Sequence, residues 1–89
     1  MRIPVYTTRF KKDLKRMQAR GVDVLNIKAV MQDLMEEKLL ALKYRDHFLI
    51  GNFKDRRECH IEPDWLLIYR LDGDMIIFER TGTHADLFR

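Results

Sequence analysis

The sequence predicts an α+β fold: two N-terminal helices packed on one face of a mostly antiparallel sheet of about four to five strands. Three observations lead there. Apolar residues recur at helical spacing up to about residue 41 and give way to strand-like runs after Lys43. Two apolar runs, WLLIYRL (65–71) and MIIFER (75–80), flank Asp72–Gly73, a hairpin signal. Helices precede strands and do not alternate with them, which favours an α+β layer over a parallel α/β sheet.

Each element has its own local reason. Residues 3–7 (IPVYT) read as a short strand that Pro4 confines to an edge or a strand start. Thr7 or Thr8 can cap a helix running to about Arg20, with Gly21 as its stop. In it Phe10, Leu14 and Met17 form the buried stripe, while Arg9, Lys12, Arg16 and Arg20 follow the same spacings on a neighbouring face. Asp23 can cap a second helix over 24–41, whose Ile27, Val30, Met31, Leu34 and Met35 recur at helical spacing; the methionines are core filler. The short link at Gly21 makes the pair a helical hairpin. Residues 48–53 (FLIGNF) are a strand interrupted by Gly51. Residues 56–61 (RRECHI) alternate, with Cys59 and Ile61 on one face and Arg56, Glu58 and His60 on the other. The runs at 65–71 and 75–80 are apolar on both faces and belong at the sheet centre. The final TGTHADLFR is a loop with a closing turn.

Eighty-nine residues make a single domain, 1–89, with no repeat or linker. No apolar run approaches the roughly 20 residues of a membrane span, and the N-terminus lacks the apolar stretch of a signal peptide. Cys59 is the only cysteine, so an internal disulfide is impossible. A cytoplasmic protein is expected. The net charge of +3 is uneven: residues 1–20 hold seven bases and one acid, Asp13, so that end carries +6 and the remainder −3. A basic end on a slightly acidic body points to a polyanion partner.

All three histidines lie in the strand-rich half: His47 before the first long strand, His60 within the next, His84 after the last. Cleaving RNA by acid–base chemistry requires a 2′-hydroxyl to lose a proton and a departing 5′-oxygen to gain one. Imidazole is the side chain that titrates near neutral pH unperturbed. A carboxylate such as Asp64 can orient an imidazole, and a cation such as Arg80 or Arg57 can stabilise charge on the phosphate. Trp65 and Phe88 can stack on bases, although Trp65 at a strand start is equally suited to the core. Rival chemistries find less support. The histidine separations of 13 and 24 match no local zinc motif, and Cys59 and His60, adjacent in a strand, point to opposite faces. No phosphate-binding glycine loop is present.

The blocks HIEPDWLLIYR (60–70) and FERTGTHADLF (78–88) resemble the signature of YafQ-type toxins, in the RelE superfamily of messenger-RNA interferases. The stretch YRDHFLIGNFKDRREC (44–59) is similar to the family's run into its second strand. The resemblance implies a RelE-like fold and an endoribonuclease that cleaves the A-site codon on the ribosome by 2′-hydroxyl attack, with no metal or other cofactor. It implies catalytic roles for His47, His60, Asp64 and His84, leaving open which histidine is base and which acid. Trp65 and Phe88 would position the RNA, with Arg80, singled out above for its charge, as a further substrate-binding residue, and Arg9, Lys12, Lys15, Arg16 and Arg20 would grip ribosomal RNA. It also implies a cognate antitoxin, DinJ-like with a ribbon–helix–helix DNA-binding part. The chain departs from the family pattern at Phe48, where proline is frequent, and at Phe53 and Asp55, where tryptophan and glycine are frequent. The alternative reading is a non-catalytic nucleic-acid-binding module, acting with an antitoxin in transcriptional autoregulation. A zinc hydrolase is the third.

Overall fold

The computed structural model describes residues 1–49 and 55–88. The element order is β1 (Ile3–Tyr6), α1 (Thr8–Ala19), α2 (Val24–Met35), a 3₁₀ turn (Leu42–Tyr44), β2 (His47–Phe48), β3 (Arg57–Glu62), β4 (Trp65–Asp72), β5 (Met75–Gly82) and α3 (His84–Phe88). Among the described residues five strands form one sheet in the order β1-β5-β4-β3-β2. Every neighbouring pair is antiparallel except β1 with β5, which run parallel from Ile3↔Met75 to Tyr6↔Phe78. The α+β architecture read from the sequence is the one the chain adopts.

Local chemistry sets the helix ends. The Thr7 side chain accepts the Phe10 N–H at 3.0 Å and so caps α1. Gly21, at φ 91, ends that helix in the left-handed conformation glycine adopts without strain. Asp23 caps α2 through the Leu25 N–H. That helix ends at Met35, short of residue 41, because Glu37 turns left-handed at φ 62. The Glu37 N–H then bonds the Leu34 carbonyl and the Lys38 N–H the Asp33 carbonyl, a Schellman stop built without glycine. Most of the strand expected over 48–53 lies outside the described residues; within them β2 is His47–Phe48. Asp55 sits at φ 70, a left-handed conformation that aspartate tolerates better than most residues.

The main core lies between the helices and one sheet face. Phe10 and Met17 of α1 and Ile27, Val30, Met31 and Leu34 of α2 pack on Cys59, Ile61, Trp65, Leu67, Tyr69, Ile76 and Phe78. The opposite face carries a smaller cluster, Leu66 and Ile68 beneath Leu87 of α3. Burial on both faces is why β4 reads as a continuous apolar run. The closing turn expected near the C-terminus is thus a helix that covers the second face, and it starts at His84.

Beyond Tyr6, where β1 ends, α1 takes over the edge of β5. The Thr7 hydroxyl donates to the Glu79 carbonyl at 2.8 Å, and Asp13 accepts the Thr81 N–H at 3.2 Å. Asp13 is 5 % exposed although it sits in the basic helix. It is buried because it satisfies a backbone donor and the Arg80 guanidinium together.

Candidate functional site

The alternation of β3 puts Glu58 and His60 on the face away from the helices, opposite Ile68 and Leu66 of β4. β2 pairs antiparallel with β3 in the register His47↔Glu58, which brings the second histidine onto the same face. The turn after β5 brings the third, His84, as the first residue of α3. The result is a row: ring centroids of His47 and His60 lie 6.4 Å apart, and those of His60 and His84 5.7 Å. Phe88 lies one helical turn beyond, its ring 6.4 Å from that of His84.

Two carboxylates hold the row. Glu58, 5 % exposed, sits between two imidazoles, with Oε2 3.5 Å from His47 Nε2 and Oε1 3.3 Å from His60 Nε2. Asp64 Oδ1 lies 2.6 Å from His84 Nδ1 and also accepts the His84 backbone N–H at 3.0 Å. These contacts place each ring. His84 donates Nδ1–H to Asp64, which leaves Nε2 as its basic nitrogen; His47 gives Nδ1–H to the Arg45 carbonyl. His60 turns Nε2 to Glu58, which leaves Nδ1 for a substrate.

His47, His60, Asp64, His84 and Phe88 therefore gather as the sequence anticipates. Other expectations need correction. Trp65 is 2 % exposed and packs in the main core, with its indole N–H donating to the Thr81 hydroxyl at 2.9 Å, so it offers no face to a base. Arg80 gives Nε and Nη2 to Asp13, at 2.6 and 3.2 Å, and acts as a structural ion pair. Arg57 is likewise engaged, by Asp46 and the Tyr69 hydroxyl on the helix-covered side. Two other cations, Lys43 and Arg45, share a hollow with His60. They line it with Asn26, Ala29 and Glu62, and its volume is about 510 Å³.

Glu58 and Arg45 were missed by sequence reasoning. The strand alternation that placed His60 also placed Glu58, so that signal was available. Nothing local marked Arg45, whose left-handed backbone (φ 49) turns the chain into β2.

The basic ridge of α1 divides into two parts. Arg9, Lys12 and Lys15 are exposed and have no ion pair among the described residues. Arg16 and Arg20 turn toward acids: Arg16 to Asp13 at 3.1 Å, and Arg20 to Asp86 at 2.6 and 3.1 Å.

Hydrogen bonding from Arg20 holds the Asp86 carboxyl far below the ordinary carboxylate range. Asp64 is also lowered, first by the His84 backbone N–H and then by its ring. Both groups have a lower pKa folded than unfolded. Their contribution to docking α3 is therefore complete above about pH 4 and is lost as pH falls through the folded values. Amides of residues 85–88 should lose hydrogen-exchange protection on acidification before those of β4 do. Protection of α3 that keeps pace with that of β4 as the pH is taken well below 3 would show that docking does not depend on these charges.

Among the described residues, one group of donors is close enough to hold a cation: single ligand atoms of Glu58, His60 and His84 lie within 4.8 Å of one another. Two imidazoles and a carboxylate suit a borderline ion such as zinc or copper.

The class of protein is fixed by comparison. Residues 2–89 match the family described as bacterial toxin of type II toxin–antitoxin system, YafQ, and the chain belongs to that family. It is 45% identical over 84 residues to the mRNA interferase toxin YafQ of Escherichia coli strain K12, covering 93% of this chain and 91% of that one. The fold superposes on the crystal structure of the E. coli DinJ–YafQ complex with TM-score 0.93, at 42% identity and full coverage of both chains. A metal-bound toxin from Helicobacter pylori matches with TM-score 0.93 at 39% identity, over 99% of this chain and 100% of that one. Among the described residues no helix is long and apolar enough to cross a membrane.

Proposed function

We propose that this protein is an mRNA interferase, an endoribonuclease whose 89 residues act as one domain. It works in the cytoplasm on messenger RNA in the ribosomal A site and is held inactive by a DinJ-like antitoxin with a ribbon–helix–helix part. The observation that carries this reading is the row of three imidazoles, in which His60 and His84 each turn one ring nitrogen to a carboxylate and keep the other for proton exchange with a substrate.

The chemistry follows from that row. One imidazole of the His60–His84 pair takes the proton of the 2′-hydroxyl as it attacks phosphorus. Another gives a proton to the departing 5′-oxygen. Asp64 fixes the His84 tautomer and supports the imidazolium form; Glu58 orients His60 and His47. Lys43 and Arg45 place positive charge beside the hollow for the phosphates. Phe88 stacks on a base, and Arg9, Lys12 and Lys15 meet ribosomal RNA. Mapping transcript ends on translating ribosomes tests the reading: cleavage within the A-site codon is expected, and its absence would overturn the proposal.

A cation held by Glu58, His60 and His84 would take up the Nε2 lone pair of His84, which proton transfer needs. Chelator treatment is therefore expected to preserve or raise the cleavage rate, and stoichiometric zinc or copper to lower it. Loss of activity on chelation, restored by zinc, would favour metal-assisted hydrolysis.

A further inference from the structure

Five residues make too short a helix to hold its own orientation, so α3 must be placed by tertiary contacts. This matters because α3 carries both His84 and Phe88. Leu87 anchors one side on Leu66 and Ile68. The other side is fixed at Asp86, where several contacts converge. Asp86 Oδ2 accepts the Thr83 N–H at 2.9 Å, and the Thr83 hydroxyl accepts the Asp86 N–H at 3.1 Å. A Cβ at Gly82 would stand 3.0 Å from Asp86 Cβ and Oδ2, so the turn has no slack on that side. Arg20 then closes on the carboxylate with two nitrogens, 66 residues away in sequence, and Arg16 approaches to 3.9 Å. A guanidinium serving only as a solvated ridge would extend outward. This one folds back onto the segment that holds the reactive imidazole.

We propose that Arg20 and Asp86 are a positioning pair for His84 and Phe88, so that the last turn of the basic helix sets catalytic geometry; this rests on the endoribonuclease reading above. The Arg20 side chain is 43% exposed. Exposed ion pairs add little to overall stability, so the effect of the pair falls on alignment. Small misplacement of a proton-transfer group is costly, up to roughly 100-fold for about 1 Å.

The test compares wild type with Arg20→Ala, Asp86→Asn and the double variant. Asparagine keeps an oxygen for the Thr83 N–H but loses the charge that holds Arg20. Two measurements are made: kcat and KM for cleavage of ribosome-bound message, and the ¹⁵N ring signals of His84 in the free protein. Each single variant should lower kcat about ten-fold with KM within about two-fold, and the double should be no worse than either. The His84 ring signals should move in the same direction in all three. Arg20→Lys, which keeps the charge without the fork, should recover part of kcat. The pairing is overturned if Arg20→Ala raises KM at unchanged kcat while Asp86→Asn is silent, which would make Arg20 an RNA contact. It is also overturned if the double variant is multiplicatively worse. If wild type cleaves no message, the endoribonuclease reading fails, and the ring signals decide alone: unmoved His84 signals in both single variants overturn the pair.

Discussion

Replacing His84 with glutamine is expected to lower cleavage by about 10²–10⁴-fold, the usual contribution of a positioned proton-transfer group. The fold should be unaffected. The side chain is 53% exposed, and its anchoring Asp64 keeps the backbone N–H of residue 84 as a donor. Glutamine retains size and hydrogen bonding but cannot exchange a proton near neutral pH. His60→Gln should behave alike, since that ring stands between the other two. Induced expression of wild type should arrest growth, and either variant should relieve the arrest while keeping a native circular dichroism spectrum. Undiminished arrest in both would remove the histidines from the mechanism. The binding-module alternative would then lead, and strongly salt-dependent DNA binding by the isolated chain would support it.

The second large effect concerns stability. Trp65→Ala should cost about 3–5 kcal/mol, the range for deleting a large buried aromatic. That is a major part of the 5–15 kcal/mol that typically holds a domain together. Trp65→Phe keeps most of the packing and loses the bond to Thr81, so about 1 kcal/mol is expected. Chemical denaturation measures both. If Trp65 instead contacted RNA, Trp65→Ala would leave stability near wild type while cleavage fell, and the burial assigned to this side chain would be wrong.

Trp65 also shows where sequence reasoning meets its limit. A tryptophan beside candidate catalytic residues suits either base stacking or the core, and only its neighbours in space decide. Periodicity placed α1, β3, β4 and β5 well, because each buries a regular face. It overran α2, since a Schellman stop on Glu37 lacks the glycine that usually marks one. The histidine cluster was anticipated through the family resemblance. Strand alternation alone gave the face of His60 but not the proximity of His84, which depends on β5 crossing beside β4. The spacing that makes Arg16 and Arg20 part of a basic ridge, and the position of Arg80 beside the candidate site, say nothing about acids arriving from elsewhere. Asp13 and Asp86 are those acids.

The parallel pairing of β1 with β5 has a temporal consequence. Ile3 finds its neighbour only at Met75, so the edge strand cannot pair until the whole segment between them has been made. Loop closure over such a span is slow relative to local contacts. A growing chain has no completed sheet, and its third imidazole arrives later still. Until both Met75 and His84 have been made, neither the edge pairing nor the row of three imidazoles can form, which leaves an interval in which a partner can meet the chain before the row is complete.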